Sequence, residues 1–212
     1  MKPIAPMQVA PVTLQGPSLR LEPLSLAHLD GLAAVGLVPE LWRWVPSLIS
    51  TAAEMRAYVD SALEDQAKGV ALPFALVLAG PGASGPGESG PGTSGPVVGS
   101  SRFGNISLRD RRLEIGWTWV APAWQRSSVN TEAKTLLLTH AFETLGAHRV
   151  ELKTDFLNDK SRDAIARIGA TQEGIFRRHI VNDSGRVRDT VYFSVIDSEW
   201  SAVKAHLATL RA

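Results

Sequence analysis

Residues 112–170 read RLEIGWTWVAPAWQRSSVNTEAKTLLLTHAFETLGAHRVELKTDFLNDKSRDAIARIGA, and this stretch decides the fold. It opens with a strand, Arg112 to Val120. Alternation puts Ile115, Trp117 and Trp119 on one face and Glu114, Gly116 and Thr118 on the other. A polar turn follows. Asn130 then caps a helix from Thr131 to Leu145, whose apolar residues Ala133, Leu136, Leu137, Ala141 and Leu145 keep close to i, i+3, i+4, i+8 spacing. Arg149 to Thr154 is the next strand, and a short helix from about Ser161 to Ile168 stops near Gly169.

Working outward, Leu19-Arg20-Leu21 alternates like a strand and Ala27 to Val35 suits a short helix. Thr51-Ala52-Ala53-Glu54 is a capping box that opens a helix to about Lys68. Pro73 to Ala79 and Val97 to Leu108 read as strands. Beyond the central stretch, Ile175 to Val181 and Val187 to Ile196 form a hairpin around Asp183-Ser184-Gly185, and Glu199 to Ala208 is a terminal helix. The sum is an α+β fold: a mixed, mostly antiparallel central sheet flanked by helices, with a strand–helix–strand unit in its second half.

The 212 residues suit a single domain, 1–212. Within it, Gly80 to Pro96 repeats GPGAS, GPGES, GPGTS and reads as a flexible insert with nothing large enough to bury. The pattern G-x-G-x-x-G occurs there three times, from Gly80, Gly85 and Gly90. A dinucleotide fingerprint must follow a strand and open a helix, whereas Val97-Val98-Gly99 begins a new strand, so the pattern is an accident of composition.

The chain has no cysteine, which excludes disulfides, thiolate metal sites and a cysteine nucleophile and fits a cytoplasmic address. Met1 to Leu14, broken by three prolines, does not read as a signal peptide, and no apolar run approaches the ~20 residues of a spanning helix. The net charge of +1 gives no global case for nucleic acid or an anionic membrane. His28, His140, His148, His179 and His206 lack metal-ligand spacing, so no metal is expected. Arg177, Arg178, Arg186 and Arg188 make a basic hairpin. It suits a phosphate, an acidic substrate or RNA, but without interleaved aromatics it reads first as a solvated face.

Chemistry concentrates where Val120 gives way to the helix. Free N–H groups and the dipole at a helix start attract an anion, and Gln125, Arg126, Ser127 and Ser128 add donors there. Taken alone, this is a strand-to-helix loop with a solvated arginine. Three motifs raise it above that: L-E-I-G-W-x-W-x-x-P, the turn with T-E-A-K, and H-R-V-E-L-x-T-x-x-x-N-x-x-S-x-x-A-I-x-x-I-G-A. With them, the region from Leu19 to Ile196, the insert aside, resembles the GCN5-related N-acetyltransferase superfamily, most closely its ribosomal-protein N-terminal acetyltransferase branch.

The resemblance implies a splayed-strand site for acetyl-CoA, used as co-substrate without a metal. The family's pyrophosphate loop, Q/R-x-x-G-x-G/A, falls on Gln125, Arg126, Ser127, Ser128, Val129 and Asn130, so Ser128 and Asn130 stand where the family has glycine and a small residue. Asn130 tolerates left-handed backbone and Ser128 brings a hydroxyl. Backbone groups near Trp119 and Val120 would pair with the pantetheine arm, and an N–H there would meet the oxyanion. Asn158 would bind pantetheine or order the site. Many members carry a tyrosine acid where this chain has Ile165, which leaves Ser161 to protonate or solvate the thiolate.

Without cysteine the simple mechanism is direct attack of an amine in a ternary complex. Glu114, on an otherwise apolar strand, is the candidate base. Trp42, Arg43 and Trp44 lie where the superfamily lines its acceptor pocket, Arg43 suiting an acceptor carboxylate or phosphate. The resemblance leaves room for a homodimer. The competing reading is a non-catalytic acyl-CoA sensor or interaction domain, which the altered loop at Ser128 and Asn130 favours.

Overall fold

A computed structural model describes residues 7–79 and 94–210. Most of the repeat (80–93) therefore lies outside the described residues, and strand β4 begins at Ser94, inside the repeat's last unit. Eight strands form one open sheet in the order β1-β2-β3-β4-β5-β6-β8-β7. They are β1 (Leu14–Gln15), β2 (Leu19–Pro23), β3 (Leu72–Ala79), β4 (Ser94–Ser107), β5 (Arg112–Val120), β6 (Arg149–Asp155), β7 (Thr171–Val181) and β8 (Val187–Ile196). All neighbours pair antiparallel except β5 and β6, the two strands joined by the crossover helix.

Helices α1 (Leu29–Gly36), α2 (Pro39–Trp42) and α3 (Ala52–Ala67) cover one face of the sheet. Helices α4 (Val129–Thr139), α5 (Asp159–Arg167) and α6 (Trp200–Thr209) cover the other. The alternation of β3 shows how one strand serves both layers. Phe74 and Leu76 enter the core under α4 and α6, and Ala75 and Val77 the core under α1 and α3. The capping box on α3 forms as read: Thr51 Oγ1 accepts from Glu54 N, and Glu54 accepts from Thr51 N.

Two local readings need correction. Helix α4 starts at Val129 with Ser128, not Asn130, as its cap, because Ser127 Oγ already accepts the Val129 N–H at 3.3 Å. The left-handed residue of this turn is Arg126 (φ 60°), which closes the loop before Asn130 is reached. The faces of β5 also change partway along. Trp117 takes φ 50°, and the pairing jumps from Arg102↔Gly116 to Ser100↔Trp119, so three residues of β5 oppose two of β4. A bulge of this kind reverses the alternation. Ile115 faces α4, Trp119 packs under α1 and α3, and Thr118 meets α4. Trp117 itself is left 36% exposed.

Candidate active site

The site forms where β5 and β6 part. They pair at only three positions, Arg112↔Arg149, Leu113↔Val150 and Glu114↔Glu151, and beyond these each runs on without the other. Their unpaired ends leave backbone donors and acceptors facing a gap, which an extended ligand can fill like a strand. The bulge at Trp117 lies on the β5 wall of this gap. Gly99 on β4 permits it, since a Cβ there would collide with the Trp119 carbonyl. Trp119, which packs on Trp42 at 5.6 Å between ring centroids, keeps its indole N–H buried and, among the described residues, without a partner.

The starts of α4 and α5 lie at the open end of the gap. Gln125 spans it: its Nε2 donates to the Val120 carbonyl at 2.9 Å, and its Oε1 accepts from Lys160 Nζ in the first turn of α5. Arg167 of α5 donates to Thr131 Oγ1 in the first turn of α4 at 2.8 Å. Lys160 and Arg167, with the exposed Arg126, surround the α4 N-terminus with positive charge. Helix dipole, free amides and cations together make an anion site. Ser127 donates to the Trp124 carbonyl at 2.6 Å; Ser127 and Ser128 are both exposed and Asn130 is half-buried.

Asn158 caps α5. Its Oδ1 accepts the Ser161 N–H at 3.1 Å, so the two residues singled out from sequence form one turn beside the end of β6. Among the described residues the Ser161 hydroxyl, half-buried, takes no hydrogen bond.

Glu114 lies at the fork and is 7% exposed. Its surroundings are not apolar, as the strand pattern had implied. Glu114 Oε2 meets Lys153 Nζ of β6 at 2.6 Å and accepts from Asn105 Nδ2 at 2.5 Å. Burial works against the Lys153 charge, but Glu114 and Tyr192 outweigh it and hold that pKa above the ordinary lysine value. Past the fork, Asp155 is buried against Arg186 and Arg188. Two arginines of the basic hairpin are therefore structural. Arg188 is buried, which pushes its pKa down, and Arg186 stacks on Trp44.

A cavity of about 500 Å³ opens on the α3 side of the bulge. Ser47, Leu48 and Ile49 line it, with Tyr58, Arg102, Trp117, Glu54, Asp65 and Asp183. This corrects the tryptophan reading. Trp42 is a core residue, 3% exposed, whose Nε1 donates to the Gly36 carbonyl at 2.7 Å. Arg43 is exposed and stacks on Trp44, and neither lines the cavity. The aromatic walls are instead Tyr58 and Trp117, with the Arg102 guanidinium between them at 5.6 and 4.9 Å from the ring centroids. A Cβ on Gly104 would strike the Trp117 ring, so that glycine is the floor on which the ring rests. Strand alternation had set Trp117 on one face with Ile115 and Trp119 and gave no sign of a pocket wall.

Sequence reading also passed over Lys134 and Thr118. Lys134 on α4 is 6% exposed, and its Nζ donates to Thr118 Oγ1 at 2.7 Å. Thr118 Oγ1 also shares a hydrogen bond of 2.8 Å with Ser101. Burial pushes the Lys134 pKa down to about 7, against an upward pull from Glu114. The only available signal was the lysine itself, at a position whose neighbours Ala133 and Leu137 face the core.

An open sheet with one parallel pair splayed between two helix starts is the architecture of the acetyltransferase (GNAT) fold. The acetyltransferase (GNAT) domain family matches residues 18–171, and the chain belongs to this family. It is 35% identical over 100 residues to the Bacillus subtilis (strain 168) protein named "Putative ribosomal N-acetyltransferase YdaF", a match that covers 47% of this chain and 54% of that one. The chain thus spans about half the length of the curated relatives it matches. A GCN5-related N-acetyltransferase from Brucella melitensis superposes with a TM-score of 0.85 at 32% identity, covering 100% of this chain and 91% of that one. Mycobacterium smegmatis RimJ, solved in complex with CoA-disulfide, shares the fold at a TM-score of 0.77 and 22% identity, covering 95% of each chain. Among the described residues no group of three or more His, Cys, Asp or Glu could hold a metal, and no helix is long and apolar enough to cross a membrane.

Proposed function

We propose that this chain moves an acetyl group from acetyl-CoA to a primary amine, a protein N-terminus or a small amine, by direct attack in a ternary complex. The splay between β5 and β6, with the α4 and α5 helix starts at its open end, is the observation that carries this reading. The pyrophosphate would lie on the first turn of α4, held by backbone amides from Gln125 to Asn130, with Arg126, Lys160 and Arg167 supplying charge. Ser128, exposed at the cap, offers its hydroxyl to phosphate. The pantetheine arm would pair with β5 near Trp119 and Val120 and pass Asn158.

The acceptor would enter from the other face, through the cavity lined by Tyr58, Arg102 and Trp117. Its amine gives up a proton to Glu114, directly or through water, and attacks the thioester carbon. A backbone N–H at the bulge meets the oxyanion. The C–S bond breaks, the electron pair stays on sulfur, the nitrogen sheds its second proton to water, and Ser161 solvates the thiolate or relays that proton to it.

The test incubates the protein with acetyl-CoA and a panel of amines, peptide N-termini included, while following thiol release and the heat of acetyl-CoA binding. Release that depends on an amine supports the reading. Binding without release favours an acyl-CoA sensor, and neither one sinks both. An action in the cytoplasm and assembly as a homodimer accompany the proposal; sedimentation tests the latter.

A further inference from the structure

Lys134 is a buried ammonium with no carboxylate in contact among the described residues. Its one hydrogen-bond partner is Thr118, the first residue after the bulge, where β5 has already left β6. Thr118 is half-buried and points to the α4 face, the side on which the helix start offers its amides. Lys134 follows that start by five residues, about 7.5 Å along the helix axis. The site thus holds a group that burial disfavours when charged, on the helix whose start offers the free amides and bonded to the strand that walls the gap.

We propose that Lys134 couples cofactor binding to a proton. Part of its population is neutral in the free protein; it takes up a proton when coenzyme A fills the splay and through Thr118 directs that charge at the departing thiolate. This rests on the acetyl-CoA reading above. Lys134 transfers no atom to the substrate and is a positioning residue.

The charged and titratable groups of the surrounding elements leave Lys134 without another partner. On α4 itself Glu132 is bound to Ser18 and Leu19, and His140 stacks on Phe103. Arg20 and Glu22 of β2 pair with each other on the opposite face. On β4, Arg102 stands with Asp65 on that same opposite face, and so does Lys153 of β6 with Glu114. Arg167 of α5 is held by Thr131, and His206 of α6 by the Arg167 carbonyl. Glu114 alone acts on Lys134 as a charge.

The sign follows from linkage. Coenzyme A is an anion, so binding raises the Lys134 pKa from its value of about 7 in the empty site. The added affinity is fully present below the empty-site pKa and is lost as pH rises through the bound-state pKa, by up to about tenfold per pH unit.

The test is calorimetry of coenzyme A binding near pH 7.5 in two buffers of different ionisation enthalpy, repeated across pH. The wild type should take up a fraction of a proton per ligand that Lys134→Met does not. Lys134→Gln is the second variant should the first fail to fold, and the ligand's own phosphate titration cancels in the comparison. Glu114→Gln, by removing the negative charge that favours Lys134 protonation, should move the uptake to lower pH. In turnover, the wild type should lose rate at high pH and Lys134→Met should lack that descending limb. Equal proton uptake by wild type and both Lys134 variants overturns the inference while leaving acetyl-CoA binding intact. No binding heat in the wild type overturns both.

Discussion

The two faces of β5 around the bulge carry opposite solutions to the same difficulty. On the α3 face Glu114 is buried but bonded to Lys153 and Asn105. On the α4 face Lys134 is buried with a single neutral hydrogen-bond partner among the described residues, Thr118. A buried charge with a partner keeps its charge, whereas one without a partner gives up its proton more readily. One side of the fork therefore carries an ion pair and the other a buried lysine without a counter-charge in contact among the described residues.

Breaking the ion pair should have the largest effect. Glu114→Ala leaves Lys153 without its carboxylate and removes the proposed base. We expect kcat to fall by about 10²–10⁴-fold in steady-state assays at saturating substrates. A loss confined to melting temperature would make the pair purely structural. Next come Ser161 and Asn158, which the proposal sets beside the sulfur. Ser161→Ala should lower kcat roughly a hundredfold with the melting temperature unchanged. Asn158→Ala should do the same and cost about 1 kcal/mol of stability, because it is also the α5 cap. Unchanged turnover in both variants would remove them from the mechanism.

The Lys134 side should respond in the opposite sense. Lys134→Met is expected to stabilise the fold by on the order of 1–4 kcal/mol, read by denaturant melts. The folded-state pKa of about 7 lies below that of an unfolded lysine, so the unfolded chain binds more protons between the two values and wild-type stability rises with pH there. The variant's advantage is thus full below about pH 7 and fades toward pH 10.5. A gain independent of pH would contradict a titrating Lys134. The smallest effect should come from Gln125→Ala. It opens the link between Val120 and Lys160 and should weaken coenzyme A binding several-fold, about 1 kcal/mol for one hydrogen-bonded bridge.

Much of this was legible from residue order. The α3 capping box, the α4 and α5 periodicities and the Asp183–Gly185 turn all lie where local rules put them, because each depends on contacts within a few residues. The pairing of Asn158 with Ser161 is local for the same reason. The tryptophans were not legible. Trp42, expected at a pocket, lies in the core and Trp117 lines the cavity, since an aromatic residue suits a core and a pocket wall equally.

Sequence alone thus determined the element order, the turn that joins Asn158 to Ser161, and the family to which those motifs point. Tertiary structure alone decided which way β5 faces past Gly116. The reversal rests on a left-handed tryptophan, for which Gly99 and Gly104 on the neighbouring strand leave room and on whose ring Arg102 packs. It also decided which buried charge has a counter-charge. Lys153 and Glu114 meet across a parallel strand pair, while Lys134 crosses from a helix to a threonine that the bulge alone turns toward it. Partners brought together over such distances leave no periodic trace in the chain, so the chemistry of the fork emerged only when the sheet was assembled.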